Sequence, residues 1–182
     1  MKAHPRNNST NRWPAFQEAF GGNFQDKVIL DFGGSRGNLL HFSQGGIQEK
    51  NYISIDPVME GVEMGRAEFP EAEFIYYDRW SWMYNHHGNQ EINLPTITRK
   101  IDYIASFSVF SHTDFDEFVT TLKWMQTLNP EKMVISFLDA DSESTKRFFE
   151  NKRKRAYGST LEMPLNQHNL YYYLNNNRII SD

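Results

Sequence analysis

The chain has 182 residues, a formal net charge of −4, 39% hydrophobic residues and no cysteine. Its length suits one domain with one substantial core, its negative balance gives no overall positive field to hold nucleic acid in bulk, and the missing thiols exclude disulfides, thiolate catalysis and cysteine metal sites. No apolar run approaches membrane-spanning length and the polar opening lacks an apolar leader core, so the expectation is a cytoplasmic protein without a membrane partner.

Residues 1–11 are rich in polar side chains and read as a mobile arm, followed by a short helix over Trp13–Phe20 with Pro14 near its start. Gly21 and Gly22 end it. Val28–Phe32 is an apolar run of the kind that forms a buried strand, and a glycine turn then opens a helix from about Arg36 to Gly45. A second strand over Tyr52–Ile55 runs into Asp56-Pro57 and a helix carrying Val58, Val62 and Met64, which ends before Phe69-Pro70. Glu73–Tyr77 forms a third strand ending at Asp78, and residues 79–100 are aperiodic, an insertion expected beside the substrate. Ile101–Phe107 is a fourth strand. From Asp114 a helix presents Phe115, Phe118, Val119, Leu122 and Met125 on one face, with Asp114 and Glu117 spaced as a capping box. Met133–Leu138 is a fifth strand, residues 142–155 a charged helix whose basic end Lys152–Arg155 complements its dipole, and Asn169–Leu174 with Arg178–Ile180 a hairpin around three asparagines. Alternating strands and helices predict a mostly parallel sheet covered by helices, with ligands beyond the carboxyl ends of its strands.

The glycine turn is Gly33-Gly34-Ser35-Arg36-Gly37. It fails the dinucleotide fingerprint, which needs glycines where Ser35 and Asn38 stand, and it lacks the lysine of a phosphate-binding P-loop. It satisfies G-x-S-x-G, the elbow that presents a nucleophilic serine in α/β-hydrolases, although that elbow follows several strands and this turn follows the first. A serine hydrolase using Ser35 is thus one alternative.

The stretch Val28-Ile29-Leu30-Asp31-Phe32-Gly33-Gly34-Ser35-Arg36-Gly37 resembles motif I of the class I S-adenosylmethionine-dependent methyltransferases, with Ser35 where the middle glycine usually stands. Asp56, 56 − 37 = 19 positions beyond Gly37, stands where the family binds the ribose hydroxyls. The resemblance runs from Lys27 to Ser181 and implies a three-layer α-β-α sandwich around a mostly parallel seven-stranded sheet with a C-terminal antiparallel hairpin, in one domain over residues 1–182. It implies S-adenosyl-L-methionine as cofactor, held by Asp31, Gly33, Gly34, Ser35, Gly37, Asp56, Asp78 and Ser106, with Asp78 at the adenine amine and Tyr77 or Trp80 stacked on the ring. The bland reading of Asp78 is a surface ion pair with Arg79. His112, in the loop after the fourth strand, is the candidate catalytic group, taking or orienting a proton of a small-molecule acceptor. Neither an Asn/Asp-Pro-Pro-aromatic motif nor an acidic cluster follows that strand, which disfavours the nucleobase-amine and magnesium-dependent branches. Adjacent His86 and His87 point apart and lack further ligands, so no metal is expected. A methyltransferase-like binding or scaffold domain without turnover is the other alternative.

Overall fold

The computed structural model describes residues 10–81, 83–110, 113, 115–138 and 171–172. The arm up to residue 9, His112, the cap residue Asp114, the charged helix over residues 142–155 and most of the expected hairpin lie outside the described residues.

Five parallel strands, β1 (Ile29–Phe32), β2 (Tyr52–Asp56), β3 (Glu73–Tyr76), β4 (Tyr103–Ser106) and β5 (Lys132–Ile135), form a sheet in the order β3-β2-β1-β4-β5. The registers pair Ile29 with both Tyr52 and Tyr103, which fixes β1 as the central strand. Every residue of β1, β2 and β4 is buried, as expected of strands covered on both faces.

Side chains of successive strand residues point to opposite faces, and two cores result. Ile29, Tyr52, Tyr103 and Ala105 pack with Phe16 and Phe20 of α1 (Trp13–Phe20), Leu39 and Leu40 of α2 (Asn38–Ser43) and Val62 of α3 (Met59–Glu68). Leu30, Phe32, Ile53, Ile55 and Ile104 pack on the other face with Phe118, Leu122 and Met125 of α4 (Phe115–Thr127). Helices on both faces make three layers, and the three central strands are buried along their whole length because each face takes every second residue.

The expected fifth strand over Met133–Leu138 is divided. Ser136 leaves the ladder because its hydroxyl accepts the N–H of Ser108 at 2.7 Å, while its own N–H goes to the Ser106 carbonyl at 2.9 Å. Beyond it, β6 (Phe137–Leu138) pairs antiparallel with β7 (Tyr171–Tyr172) as a separate two-stranded sheet. Residues 79–100 contain isolated bridges, Arg79 with Asn89 and Ser81 with Asn85, and no regular helix or strand among those described. No helix among the described residues is long and apolar enough to cross a membrane.

Gly65 shows how closely α3 sits on the sheet: a Cβ there would lie 2.2 Å from Cε1 of Phe74. Alanine normally gains about 1 kcal/mol over glycine in a helix interior, whereas overpacking costs about 1–3 kcal/mol. Phe74 is buried, so overpacking wins. Gly65→Ala is expected to lower stability by about 1–2 kcal/mol, a fall in melting temperature of a few degrees that calorimetry reads; an increase would show that Phe74 has room to move.

Candidate functional site

In the strand order, β1 is flanked by β2 on one side and β4 on the other, so the chain leaves it in opposite directions and opens a crevice at its carboxyl end. A cleft of about 620 Å3 occupies that place, within the range usual for small-molecule sites. It is lined by the turn after β1, the Asp56–Val58 corner after β2, the Tyr77–Ser81 segment after β3 and Phe107–Val109 after β4. Arg12, ahead of α1, adds a cation at the exposed side and donates to the Ser108 hydroxyl at 3.4 Å.

The glycine turn is held by a carboxylate. Asp56 Oδ2 accepts the Ser35 N–H at 2.8 Å and Oδ1 accepts the Val58 N–H at 2.9 Å, so one side chain fastens the turn after β1 to the start of α3. The Gly33 N–H closes the other end on the Ile55 carbonyl at 2.7 Å. Gly33 has φ +83 and a Cβ there would lie 2.1 Å from Val109 Cγ2; a Cβ on Gly34 would lie 2.6 Å from Ser54 Oγ and 2.8 Å from Asp31 Oδ2. Both glycines are therefore required by packing within the protein. Ser35 has φ +52, the left-handed region in which a serine is strained and a glycine is not.

Asp31 lies beside this turn, 5% exposed, and its Oδ2 accepts the Tyr52 hydroxyl at 2.5 Å. Burial pushes its pKa up to about 7; the Tyr52 hydrogen bond opposes the rise and the charge of Asp56 adds to it. Burial pushes Asp56 up to about 6, opposed by the N–H groups of Val58 and Ser35.

Of the residues named from the sequence, Asp31, Gly33, Gly34, Ser35 and Asp56 line the cleft together. Gly37 does not: it stands at the N-cap of α2 with φ +78, where a Cβ would meet Phe74 and Phe69 at 3.0 and 3.3 Å. Ser106 is fully buried in β4 and is not part of the lining. Asp78 is exposed and outside it, accepting from the Tyr76 hydroxyl at 2.9 Å and from Asn85 Nδ2 at 3.3 Å. Asp78 does not pair with Arg79, whose guanidinium turns inward to Glu117 Oε2 at 3.0 Å and to the carbonyls of Asn89 and Gln90. Tyr77 and Trp80 both line the cleft. The His86-His87 pair belongs to no cluster of three or more metal-ligating side chains among the described residues. Ser35 Oγ lies 3.3 Å from where a Cβ on Gly61 would be, so the hydroxyl faces α3.

The buried Arg79–Glu117 pair was not legible in the sequence, since its partners are 38 residues apart and join only when the first turn of α4 meets the segment past β3. Charged residues are rarely fully buried unless paired, and an arginine just past a strand end beside an aperiodic insertion is the one local signal it left.

No protein-family model matches the chain, and no curated protein is significantly similar to it in sequence. Among solved structures, PKMT2 from Rickettsia typhi is 18% identical, with a TM-score of 0.55 over 87% of this chain and 31% of that one. The same protein in complex with AdoHcy overlays with a TM-score of 0.51, again 18% identical, over 87% of this chain and 32% of that one. A TehB-like SAM-dependent methyltransferase from Corynebacterium glutamicum, 18% identical over 58% of this chain and 56% of that one, overlays more loosely with a TM-score of 0.37. The chain spans about a third of the length of PKMT2. Strand order, cleft position and the two PKMT2 likenesses together give it the class I methyltransferase fold.

A carboxyl group whose pKa rises on folding stabilises the fold fully below its unfolded value near 3.8, and that contribution is lost as pH rises through the folded value. For Asp31 and Asp56 the window is roughly pH 4 to 7. Asp31→Asn removes one of the two protons from this balance, so thermal melts at pH 4.5 and 7.5 are expected to differ less for the variant than for the wild type. Equal differences would mean that Asp31 ionises normally in the fold.

Proposed function

We propose that the chain is an S-adenosylmethionine-dependent methyltransferase acting on a small-molecule acceptor. The observation that carries the reading is the Asp56 bracket at the head of the cleft. Each Asp56 oxygen accepts one backbone N–H, and a carboxylate has about four lone-pair directions in all. Two directions remain for a vicinal diol, and Asp56 lines the cleft. The donor set therefore fits a ribose. Asp31, whose pKa lies near neutrality, suits a cationic donor, because a positive ligand beside it would hold it ionised.

When bound, S-adenosylmethionine would supply a methyl carbon activated by an adjacent sulfonium. The protein's part is positioning. Asp56 would orient the ribose, and the close-packed Gly33-Gly34 turn keeps its backbone fixed. Phe32, Phe107 and Val109 form an apolar wall that limits water. In-line displacement of this kind gains mainly from holding the acceptor at attack distance, so a general base is optional; His112 is proposed in that optional role from its place after β4. In the same reading β7 begins the antiparallel hairpin that would complete a seven-stranded sheet, supported by its antiparallel pairing with β6. Asp78 and Ser106 are proposed as outer supports of the adenine and methionine ends, from their places at the ends of β3 and β4.

Titration calorimetry with S-adenosylhomocysteine tests the donor site. The wild type is expected to bind, and Asp56→Ala to weaken binding about tenfold or more, the loss of a charge-assisted contact worth about 1.5–3 kcal/mol. Asp56→Asn, compared at equal melting temperature, separates lost ligand contact from a loosened turn. Silence with the wild type, or unchanged affinity in both variants, would overturn the reading.

A further inference from the structure

Both Arg12 and Arg79 line the cleft, in opposite states. Arg79 is buried, and its guanidinium meets Glu117 Oε2 at 3.0 Å and the carbonyls of Asn89 and Gln90, so its charge is answered inside the protein. Arg12 is exposed, and the contact its guanidinium makes among the described residues is a donation from Nη2 to the Ser108 hydroxyl at 3.4 Å. A guanidinium carries five N–H donors in a planar fork, so most of these are left to water or to a ligand. The carboxylates of the lining do not answer it: Asp31 accepts the Tyr52 hydroxyl, Asp56 accepts the N–H groups of Ser35 and Val58, and Glu117 holds Arg79.

Arg12 is nevertheless fixed at its root. Its carbonyl accepts the Phe16 N–H at 2.9 Å, which starts α1, and Asn11 Oδ1 accepts the Trp13 N–H at 3.0 Å. Trp13 stacks on the buried Phe16 with ring centroids 5.6 Å apart, which seats this end of α1 on the core. Across the contact, Ser108 has φ +62, in the left-handed region, and its N–H donates to Ser136 Oγ at 2.7 Å. A non-glycine residue held there by its surroundings is often part of a ligand site.

The chemistry of the pair narrows the ligand. An exposed guanidinium without a carboxylate partner attracts an anion and repels an ammonium. The lining sets Arg12 and Arg79 against Asp31, Asp56 and Glu117, so a dianion such as a phosphate monoester meets an excess of like charge. A carboxylate brings one charge and two coplanar oxygens, which one guanidinium receives bidentately. The Ser108 hydroxyl can donate to the same group.

We propose that Arg12, with the Ser108 hydroxyl beside it, binds a carboxylate at the mouth of the cleft. The anion chemistry rests on these two residues; its source rests on the methyltransferase reading, in which the carboxylate belongs either to the amino-acid end of the donor or to an acidic acceptor.

Methylthioadenosine keeps the nucleoside and sulfur of S-adenosylhomocysteine and lacks its amino-acid end, and benzamide is a neutral counterpart of benzoate. Calorimetry with the two nucleosides, and ligand-observed NMR with the two aryl probes in the presence and absence of S-adenosylhomocysteine, compare the wild type with Arg12→Gln. One exposed ion pair is worth up to about fivefold in affinity. If the donor supplies the carboxylate, Arg12→Gln weakens S-adenosylhomocysteine about fivefold and leaves methylthioadenosine unchanged. If the acceptor supplies it, both nucleosides bind as before, while benzoate weakens about fivefold and benzamide does not. The proposal is overturned if neither carboxylate binds the wild type, if the affinities of both are unchanged in Arg12→Gln, or if their neutral counterparts weaken by the same factor, which would make Arg12 a scaffold residue. If neither nucleoside binds the wild type while benzoate depends on Arg12, the methyltransferase reading fails and the carboxylate site stands.

Discussion

One carboxylate holds the working end of this molecule together. Asp56 closes β2, and by accepting N–H groups from Ser35 and Val58 it joins the turn after β1 to the helix after β2. Without that bracket two adjacent strand ends would carry independent loops, and the left-handed Ser35 would have nothing to hold it in a costly conformation. The same side chain is buried and lines the cleft. In the proposed reading structural fastening and ligand recognition fall on one residue, so a substitution at 56 would act on both at once.

Much of the fold was legible because its signals are local. Pro14 and the aromatic spacing of Trp13–Phe20 mark α1 to the residue, and the apolar runs around Ile29, Ile53 and Ile104 mark the three strands covered on both faces. Boundaries drifted where a side chain intervened. Met133–Leu138 reads as one strand in any periodicity scheme, yet the Ser136 hydroxyl takes the Ser108 N–H and splits it, an event specified by a residue 28 positions away. α2 is shorter than the interval from Arg36 to Gly45 because Gly37 sits at its N-cap and Gln44 adopts a left-handed conformation at its end.

The site divides along the same line. Motif position and strand-end logic found Asp31, Gly33, Gly34, Ser35 and Asp56, all of which face one cleft. The same logic also named Asp78, which the exposed cluster of Tyr76 and Asn85 draws away, and Gly37, which serves the packing of Phe69 and Phe74. Short-range spacing tells where a residue stands along a strand and not which way the following loop turns it. The Arg79–Glu117 pair depends wholly on that turn, so only the folded chain reveals it.

Val109 lies against the bare Cα of Gly33, closer than any side chain at position 33 would permit. A ligand touching Gly33 from that side must first move Val109, and the loop bearing Val109 is tied through Ser108 to both Arg12 and Ser136. A ligand seated against the glycine turn would thereby change the magnetic environment of the two Val109 methyl groups. The chain carries its own spectroscopic reporter, at a position where a label need not be engineered.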